Sequence, residues 1–311
     1  VFNDSKVFPA RLWGPKEKTN ALIEVFLLRE LNHRNRYWDV LVEPARKIRI
    51  GNKITFEEDP SIVAEVIDNT TSRGRTFRFL TDYDNEEFVP RLYALGSAPL
   101  PRDIHRPMDA ETFEKYTELF HDQPVKDMDT ERYQTVFADK IGAVAAPASG
   151  LHFSKQLLKR MEIRGIESTF MTSHVSLGIF KEIDVEDLTK NKMESEQIIL
   201  PQAMTEAVNK AHMNAKRICA VGTEVMRAME SVAGTNGMLK PYDGWTNKFI
   251  FPPYTFTAAN NFFVNLYMPQ SSQMLMVAAF AGFEETMNAY ETAVKEGYRF
   301  GDYGDAMLIV D

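Results

Sequence analysis

The sequence is poor in residues that define several protein classes. It has one cysteine, Cys219, among 311 residues, which excludes an internal disulfide and a thiolate-rich metal centre. No two of its six histidines lie four residues apart, as they would in a zinc-binding helix. We therefore expect no metal and no prosthetic group.

Long apolar runs and an excess of positive charge are also missing. The longest nearly uninterrupted apolar run, Met274 to Phe280, is too short to span a bilayer. Lysine and arginine total 36 against 44 aspartates and glutamates, a net charge of −8. This balance excludes a wholly basic nucleic-acid coat, but it allows a local basic surface.

The remaining composition is that of a globular protein, with 44% apolar and 26% charged residues. At about 150 residues per domain, the length predicts about two domains. The chain opens on Val1 rather than Met, so we expect its natural N-terminus to lie upstream. A removed targeting segment is left open at this point.

Residues 20–80 show the alternation of apolar and polar side chains that is typical of strands. The pattern recurs around Ile23, Trp38, Ile62 and Phe77, with turns between the segments. It predicts a small antiparallel β-barrel domain over residues 16–96, with no helix in the strand region.

Residues 97–130 form a different segment, in which prolines are followed by many acidic residues. This composition predicts a connection between two lobes, with a short solvated helix near 110–120.

From about residue 140, predicted strands alternate with predicted helices. The helices are expected at 154–164, 201–213, 224–232, 273–281 and 283–296, and the strands at 166–172, 218–221, 249–251, 262–266 and 307–310. The alternation predicts an α/β domain with a largely parallel sheet, formed by residues 1–15 and 97–311. The expected fold class is therefore α/β plus β in two lobes.

The turn Val221-Gly222-Thr223 lies between a predicted strand and a predicted helix. Free N–H groups at a helix N-terminus can bind a carboxylate or a phosphate. On the residues alone, an ordinary strand-to-helix turn is the favoured alternative, because the turn lacks a glycine-rich phosphate motif. Arg227, one turn into the helix, would face the same anion or pair on the surface with Glu224 or Glu230.

Two histidines lie at positions that suit acid–base chemistry near neutral pH. His152 follows a loop of small residues and precedes a predicted helix, and His174 follows a predicted strand. Polar residues beyond a strand's carboxyl end often bind ligands in open α/β sheets. The alternatives are a capping or core histidine at 152 and a turn histidine without a task at 174.

Residues 29–53 carry seven cations against three acids, a local charge of +4. Such a cluster on a sheet suits a nucleic-acid backbone, although a solvated sheet face is a common alternative. The predicted nucleic-acid-binding residues are Arg46, Lys47 and Arg49 in this segment, together with Arg73 and Arg75 further along the same sheet. Several aromatic side chains near loops could stack on a base or face a cation, but core positions are the favoured alternative; they are Tyr133, Trp245, Phe251, Tyr254 and Tyr267.

Several ordered blocks resemble signatures of the S-adenosylmethionine:tRNA ribosyltransferase-isomerases, which act in queuosine biosynthesis. Near the start and in the middle of the chain they are Val1-Phe2-Asn3-Asp4-Ser5-Lys6-Val7, Pro9-Ala10-Arg11-Leu12, Glu131-Arg132-Tyr133-Gln134, Gly142-Ala143-Val144-Ala145-Ala146-Pro147 and Gly150-Leu151-His152-Phe153. Further along they are His174-Val175, Leu177-Gly178, Ala220-Val221-Gly222-Thr223, Trp245-Thr246 and Tyr303-Gly304-Asp305-Ala306-Met307. The blocks follow the family's order across essentially the whole chain.

The resemblance implies a two-lobed cytoplasmic enzyme that needs no metal and uses S-adenosylmethionine as co-substrate. Such an enzyme moves the ribosyl part of S-adenosylmethionine onto 7-aminomethyl-7-deazaguanine at the tRNA wobble position. It isomerises the ribose to an epoxycyclopentanediol and releases adenine and methionine. We expect a monomer that acts on the tRNA anticodon stem-loop.

The resemblance also implies tasks for residues. His152 or His174 would remove the ribose C5′ proton next to the sulfonium, Arg227 and the Gly222-Thr223 turn would hold the methionine carboxylate, and Tyr133 would face the sulfonium. Asp4, Glu131 or Asp305 would bind the aminomethyl group or ribose hydroxyls. The full predicted substrate-binding set is Asp4, Arg11, Glu131, Arg132, Tyr133, Gln134, Gly222, Thr223, Arg227 and Asp305.

This chain departs from the family pattern within some of these blocks. Asn191, Glu194 and Tyr267 stand where the family usually has histidine, and Glu224 lies in a block that usually reads Gly-Thr-Thr-Ser-Val-Arg. An alternative hypothesis is therefore a catalytically weakened relative that binds tRNA or S-adenosylmethionine without turnover. A general α/β methyltransferase ranks lower, because no glycine-rich strand–turn motif is present.

Overall fold

The computed structural model describes residues 1–101, 104, 127–176, 178 and 182–310. The chain divides into two compact units: an α/β unit of Val1–Lys6 with Gln134 onward, and a barrel-like unit of Val7–Tyr133. These unit boundaries differ from the predicted domain boundaries at 15/16 and 96/97, and that division stays a prediction. The helix expected near 110–120 and the Leu177 block position lie outside the described residues.

The chain begins with two short strands. Strand β1 (Phe2–Asn3) runs parallel to a strand that begins at Phe170, and β2 (Ser5–Val7) pairs with a strand that begins at Lys140. Phe2 is buried against the rings of Phe137 and Phe153, with centroid separations of 5.0 and 4.8 Å. Aromatic packing of this kind fixes the first strand in the core of the α/β unit.

The barrel-like unit is built on one antiparallel sheet of six strands. They are β3 (Arg11–Pro15), β4 (Leu22–Asn32), β5 (Tyr37–Glu43), β6 (Lys53–Thr55), β7 (Val63–Asn69) and β8 (Gly74–Leu80), in the order β3-β4-β5-β8-β7-β6. A bridge between Lys16 and Ile54 brings the two edges together. Alternate side chains such as Val25, Val40 and Phe77 point into the core, which confirms the predicted strands and their antiparallel pairing.

The barrel-like unit also contains helical segments. A 3-10 helix, Ala45–Lys47, connects two of the strands, so the expectation of no helix in this region is wrong at that point. Helix α1 (Asn85–Ala94) begins after Asp84, whose side chain accepts a hydrogen bond from the Glu87 amide, a standard N-terminal cap. Helix α2 (Asp127–Arg132) follows.

The α/β unit contains mixed rather than largely parallel sheets. Its remaining strands are β9 (Lys140–Ala143), β10 (Phe170–Ser173), β11 (Glu196–Leu200), β12 (Cys219–Val221), β13 (Tyr242–Thr246), β14 (Asn261–Asn265) and β15 (Ala306–Val310). The orders are β1-β10-β11-β13 and β12-β14-β15. Only β1/β10 and β12/β14 are parallel among the described pairs of these two sheets; β10/β11, β11/β13 and β14/β15 are antiparallel. The predicted largely parallel sheet is therefore wrong in strand direction.

The helices of this unit follow the predicted pattern closely. They are α3 (Lys155–Ile163), α4 (Gln202–Met213), α5 (Thr223–Val232), α6 (Ser272–Ala281) and α7 (Phe283–Lys295), with 3-10 segments at Ala148–His152 and Leu188–Lys190. No helix among the described residues has the length and apolar character needed to cross a membrane.

The strand predictions are less accurate. The strand predicted at 166–172 begins only at Phe170. The segment predicted as a strand at 249–251 is not one; it is a loop followed by two prolines, Pro252 and Pro253. Proline supplies no N–H group to a strand ladder, which favours the loop.

Helix α5 lies at the centre of the α/β unit. Its residues 223–230 are all buried, and Val225 and Met229 pack in one cluster with Phe262 and Val277. A helix that is buried on all sides places even its polar residues in the interior. The polar residues of α5 therefore need partners, and these partners define the site described next.

Candidate functional site

The carboxyl ends of two neighbouring parallel strands define the site. β12 ends at Val221 and β14 at Asn265, and the two strands pair in register from Cys219↔Asn261 to Val221↔Phe263. Because parallel strands end at the same edge of a sheet, the segments after them come together there. These segments are Gly222-Thr223, which begins α5, and Leu266-Tyr267.

A pocket lies at this edge, entirely within the α/β unit. Its volume is about 590 Å³, including space open to solvent. Its polar lining comprises Thr223, Glu224, Arg227, Lys248, Tyr267, Ser272, Gln273 and Asp302, and its apolar lining includes Ala146, Val175, Met193, Phe249 and Met276. A concave site with few convergent polar groups on an apolar wall is the usual form of a small-molecule site.

Arg227 and Glu196 form a buried ion pair beside the pocket. The side chains are only 5% and 1% exposed, and Oε1 of Glu196 also accepts hydrogen bonds from the amide and hydroxyl of Ser176. Burial lowers the pKa of Arg227 to about 10, so the guanidinium stays charged at neutral pH. The alternative of a surface pair with Glu224 or Glu230 is wrong, because α5 is buried and the partner comes from β11.

Glu230, one turn further along α5, holds a loop. Its carboxylate accepts hydrogen bonds from the Tyr254 hydroxyl at 2.9 Å and from the amides of Thr257 and Ala258 at 2.8 Å. Burial and the Glu230 charge raise the pKa of Tyr254 above its usual range. Two amides and a hydroxyl satisfy a buried carboxylate well, so Glu230 fixes the loop after Pro253.

Glu224 lies at the start of α5 and lines the pocket. Its carboxyl group accepts hydrogen bonds from its own amide and from the side chain of Asn3. The negative charge of the nearby Asp302 contributes to raising the pKa of this carboxyl group. Oε1 is buried and makes no hydrogen bond to any described residue. Burial raises the pKa of Glu224 to about 7, because desolvation penalises the charged form of a carboxyl group.

Tyr267 contributes a hydroxyl to the same pocket. This hydroxyl lies 3.3 Å from the Ser149 hydroxyl, and it also interacts with Thr223. Burial and the nearby Glu224 raise the pKa of Tyr267 above its usual range, so the hydroxyl stays protonated and can donate. Tyr267 therefore contributes a protonated hydroxyl to the residues that line the pocket.

His174 lies directly after β10 and next to the pocket-lining Val175. Its Nδ1 lies 2.8 Å from the Ser5 hydroxyl, and its backbone amide donates to the carbonyl of Gln197. A Cβ atom at Gly142 would lie only 2.5 to 2.7 Å from the imidazole ring. Burial lowers the pKa of His174, which keeps the ring neutral at pH 7 and able to accept a proton.

His152 occupies a different position, at the end of a 3-10 helix beside β14. Its ring meets the ring of Phe263 edge-on at 5.7 Å. Burial lowers the pKa of His152, and Asn265 and Asp305 partly oppose that shift. The side chain of Asp305 accepts a hydrogen bond from the Arg299 amide. The structure thus brings His152 close to Asp305, two residues that the sequence singles out separately.

Asp4 is half-buried, and its carboxylate accepts a hydrogen bond of 2.6 Å from the hydroxyl of Thr172. Burial is the largest influence on the pKa of Asp4 and raises it. Asp4 therefore lies beside β10 at Thr172, which precedes His174 by two residues in the sequence.

Other predicted substrate-binding residues lie in the barrel-like unit. Arg11 is buried and pairs with Glu24 at 2.6 Å while donating to the Leu100 carbonyl at 3.1 Å. Tyr133 is buried, whereas Glu131 and Arg132 are exposed. Gln134 is the first residue after the boundary. Arg11 thus has a structural task of its own, and Tyr133 has little exposed surface to offer a ligand.

The predicted basic residues divide into two groups. Arg46, Lys47 and Arg49 are exposed around the 3-10 helix, as a phosphate-binding surface requires. Arg73 forms an ion pair with Glu43, with 3.1 Å between Nε and Oε2. Arg75 is buried and donates to the carbonyls of Ala45 and Ile48 at 3.0 and 3.1 Å, so it supports the segment that displays the exposed cations.

Sequence reasoning missed several residues of the site. They are Asn3, Ser5, Ser149, Glu196 and Lys248. A signal for Glu196 was available, since it shares the buried face of β11 with Ile198 and Leu200. A charge in register with apolar core residues predicts a buried partner. Among the residues the structure describes, no group of histidine, cysteine or carboxylate side chains is suited to hold a metal ion.

Comparisons with known proteins match the whole chain. The family model described as "Queuosine biosynthesis protein" matches residues 1–309. The S-adenosylmethionine:tRNA ribosyltransferase-isomerase of Phocaeicola vulgatus is 59% identical over 311 residues, covering 100% of this chain and 84% of the relative. The protein of the same name from Bacteroides fragilis is 58% identical, with the same coverage.

A solved structure is also similar in sequence. It is the crystal structure of S-adenosylmethionine tRNA ribosyltransferase from Thermotoga maritima, with 27% identity and a TM-score of 0.46. The alignment covers 100% of this chain and 81% of that one.

Proposed function

Because the chain belongs to the queuosine biosynthesis protein family, we propose that it is an S-adenosylmethionine:tRNA ribosyltransferase-isomerase. It transfers the ribosyl moiety of S-adenosylmethionine to 7-aminomethyl-7-deazaguanine at the tRNA wobble position and isomerises it, giving epoxyqueuosine-tRNA. Adenine and methionine leave. The observation that carries this proposal is the 59% identity to a relative of that name over the full chain.

The pocket of the α/β unit has the features that S-adenosylmethionine requires. This substrate carries a carboxylate, an ammonium group, a sulfonium and a flat base. The pocket offers cationic Arg227 and Lys248, acidic Glu224 and Asp302, and apolar Phe249 and Met276. We assign the methionine carboxylate to Arg227.

His174 is the better placed of the two candidate bases. The sulfonium acidifies the ribose C5′ hydrogen, so a neutral imidazole close to the pocket can remove that proton. We assign the tautomer in which Nδ1–H donates to the Ser5 hydroxyl, 2.8 Å away, so that Nε2 accepts the proton. His152, beside Asp305, is the second candidate, and we assign it to the ribose hydroxyls or the departing adenine.

The exposed cations of the barrel-like unit are assigned to the tRNA. Arg46, Lys47 and Arg49 would contact backbone phosphates of the anticodon stem-loop, without reading sequence. We also propose that the enzyme has two lobes, with a β-barrel domain at residues 16–96, and that it acts as a monomer in the cytoplasm. The roles given to Asp4, Glu131, Arg132 and Gln134 in substrate binding belong to the same proposal, whereas the buried Tyr133 is assigned no contact with the substrate.

One incubation tests the proposed activity. The protein is mixed with S-adenosylmethionine and an anticodon stem-loop that carries 7-aminomethyl-7-deazaguanine, and the RNA mass and free adenine are measured. A mass gain of the epoxycyclopentanediol group with equimolar adenine is expected. A stem-loop with guanine at the same position is the matched control and should gain nothing.

Two other outcomes would contradict the proposal. Binding of the stem-loop without mass gain or adenine would indicate a relative that binds without turnover. A gain of one methyl group would indicate a methyltransferase instead.

A further inference from the structure

Glu224 carries an inference about how the pocket recognises the amino-acid end of its substrate. The sequence predicts that the Gly222-Thr223 turn binds an anion from the ligand. In the structure, a side chain of the protein itself occupies that place. The Glu224 carboxyl group accepts a hydrogen bond from the Glu224 amide. It also lies so close to Gly222 that a Cβ atom on Gly222 would be 2.6 Å from Cδ and Oε2 of Glu224. A second anion at the same helix end would meet this group.

The Glu224 carboxyl group is not fully used by the protein. The residue is only 9% exposed, yet Oε1 finds no hydrogen-bond donor among the described residues. A buried oxygen without a donor costs free energy unless a ligand supplies one. Since Glu224 lines the pocket, a cationic group in the pocket would lie against this side chain.

The groups around Glu224 favour a cationic donor. Asn3 from β1 donates to the carboxyl group, and Asp302 adds negative charge from the segment before β15. Tyr267 from the segment after β14 is held neutral. Arg227, on the same helix, is neutralised by Glu196. The Glu224 side of the pocket therefore carries two acidic side chains, Glu224 and Asp302, while Lys248 adds positive charge elsewhere on its lining.

We propose that Glu224 binds the α-ammonium group of the methionine moiety of S-adenosylmethionine, with Asp302 as the second negative charge. The pocket then reads the amino-acid zwitterion at two places, the ammonium at Glu224 and the carboxylate at Arg227. This inference rests on the proposed function, because it takes S-adenosylmethionine as the ligand.

Binding at Glu224 is coupled to a proton. The pKa of its carboxyl group, about 7 in the ligand-free protein, places it partly protonated at neutral pH. An ammonium group binds the carboxylate form, so ligand binding expels the proton and becomes weaker as the pH falls below 7. A ligand without an ammonium group has no such requirement.

The test compares two ligands and two proteins by titration calorimetry. The ligands are S-adenosylmethionine and its analogue with hydrogen in place of the α-amino group. The proteins are the full chain and its Glu224→Gln variant, with Glu291→Gln on the exposed face of α7 as the matched control. We expect Glu224→Gln to weaken S-adenosylmethionine binding at pH 8 by at least about tenfold, as for a lost charge-assisted hydrogen bond, and to leave analogue binding unchanged.

The wild-type protein provides a second measurement that needs no variant. Between pH 7 and pH 6, its dissociation constant for S-adenosylmethionine should rise by up to about tenfold, as expected for one coupled proton, while that for the analogue stays level. His152 and His174 also titrate, but their protonation would act on both ligands alike.

Four outcomes would overturn the inference. If Glu224→Gln weakened the binding of both ligands equally, the residue would have a structural role. The same would follow if the dissociation constants of the two ligands changed in parallel with pH. Unchanged binding of S-adenosylmethionine in the variant would remove Glu224 from recognition. Absence of S-adenosylmethionine binding to the wild-type protein would instead overturn the proposed function, and this inference with it.

Discussion

The hydroxyl of Ser5 lies 2.8 Å from Nδ1 of His174, although 169 residues separate them in sequence. This contact fixes which ring nitrogen of His174 is engaged and which one is left for a substrate. The Asn3 side chain strengthens the arrangement. It accepts hydrogen bonds from the amides of Ser5 and Ser173 and donates one to the carbonyl of Ser173. The first strand and β10 thus hold the histidine from both sides.

Replacing His174 should impair the chemical step. We expect His174→Ala to lower kcat by about 10² to 10⁴, the usual contribution of general acid–base catalysis, with little change in the dissociation constant of S-adenosylmethionine. Single-turnover rates of adenine release provide the measurement. His152→Ala is made in parallel, and near-normal turnover of both variants would exclude a histidine base.

The pH dependence of the reaction should report the same group. A base must be neutral to accept a proton, so activity falls as the pH decreases through its pKa. Because burial lowers the pKa of His174, the acid limb of kcat, measured with saturating S-adenosylmethionine, should lie below the usual histidine value of about 6.5. The limb is measured from pH 5 to 8, and it should disappear from the residual activity of His174→Ala.

Ser5 is expected to act as a positioning residue. Ser5→Ala removes one hydrogen bond, worth about 0.5–1.5 kcal/mol, so kcat should fall about threefold to tenfold with KM nearly unchanged. The acid limb of the pH profile should move as well, which a purely structural role would not cause. Ser154→Ala, which removes a helix cap remote from His174, is the control and should leave the pH profile in place.

Removing one partner of the buried pair of Arg227 and Glu196 should destabilise the α/β unit. Arg227→Met leaves the Glu196 charge buried without its partner, and such changes cost about 3–5 kcal/mol. The double variant Arg227→Met, Glu196→Gln should recover much of this loss. Urea unfolding followed by circular dichroism checks it, and equal stability of the single and double variants would contradict the pairing.

Glu224 should make stability depend on pH. The folded protein holds its proton up to about pH 7, whereas the unfolded chain releases it near 4.5. Unfolding therefore releases a proton between these pH values, and the stability contributed by this group falls as the pH rises. Glu224→Gln should gain stability relative to the wild type from pH 5 to pH 8, by at most about 3 kcal/mol. Thermal unfolding at both pH values measures the gain, and Glu291→Gln should show none.

The exposed cations should govern the salt dependence of tRNA binding. Each phosphate contact contributes about 0.7–0.9 to the slope of log K against log salt. Joint substitution of Arg46, Lys47 and Arg49 by alanine should therefore weaken binding and reduce the slope by about two to three. Substitution of the exposed Lys155, Lys159 and Arg160 on α3 is the matched control. An unchanged slope in the first variant would remove this surface from the proposal.

The sequence is a good guide to helices and barrel strands here, because both depend on local periodicity. Ser154 and Gly165 bound α3 as expected, and the alternation around Val25 and Val40 marks strands with one buried face. The aromatic run at 249–251 is misleading, since Phe249 and Phe251 pack their rings at 4.9 Å from within a loop.

Strand direction and charge pairing are harder to predict, because both depend on distant parts of the chain. Nothing near β14 indicates that β15 returns beside it antiparallel. Likewise, the spacing of α5 places Arg227 one turn from Glu224 and Glu230, while its actual partner, Glu196, comes from another strand. The resemblance in the signature blocks locates His174, Thr223 and Arg227, but not the geometry that joins them.

The division of the chain has a consequence for the order of folding during synthesis. The barrel-like unit is one continuous stretch, Val7–Tyr133, inserted between Lys6 and Gln134 of the other unit. A continuous stretch can fold as soon as it leaves the ribosome. Strand β1 must instead wait for its neighbour Phe170–Met171. Asn3 and Ser5 are therefore translated early but reach His174 late, so the histidine is positioned only after most of the chain has been made.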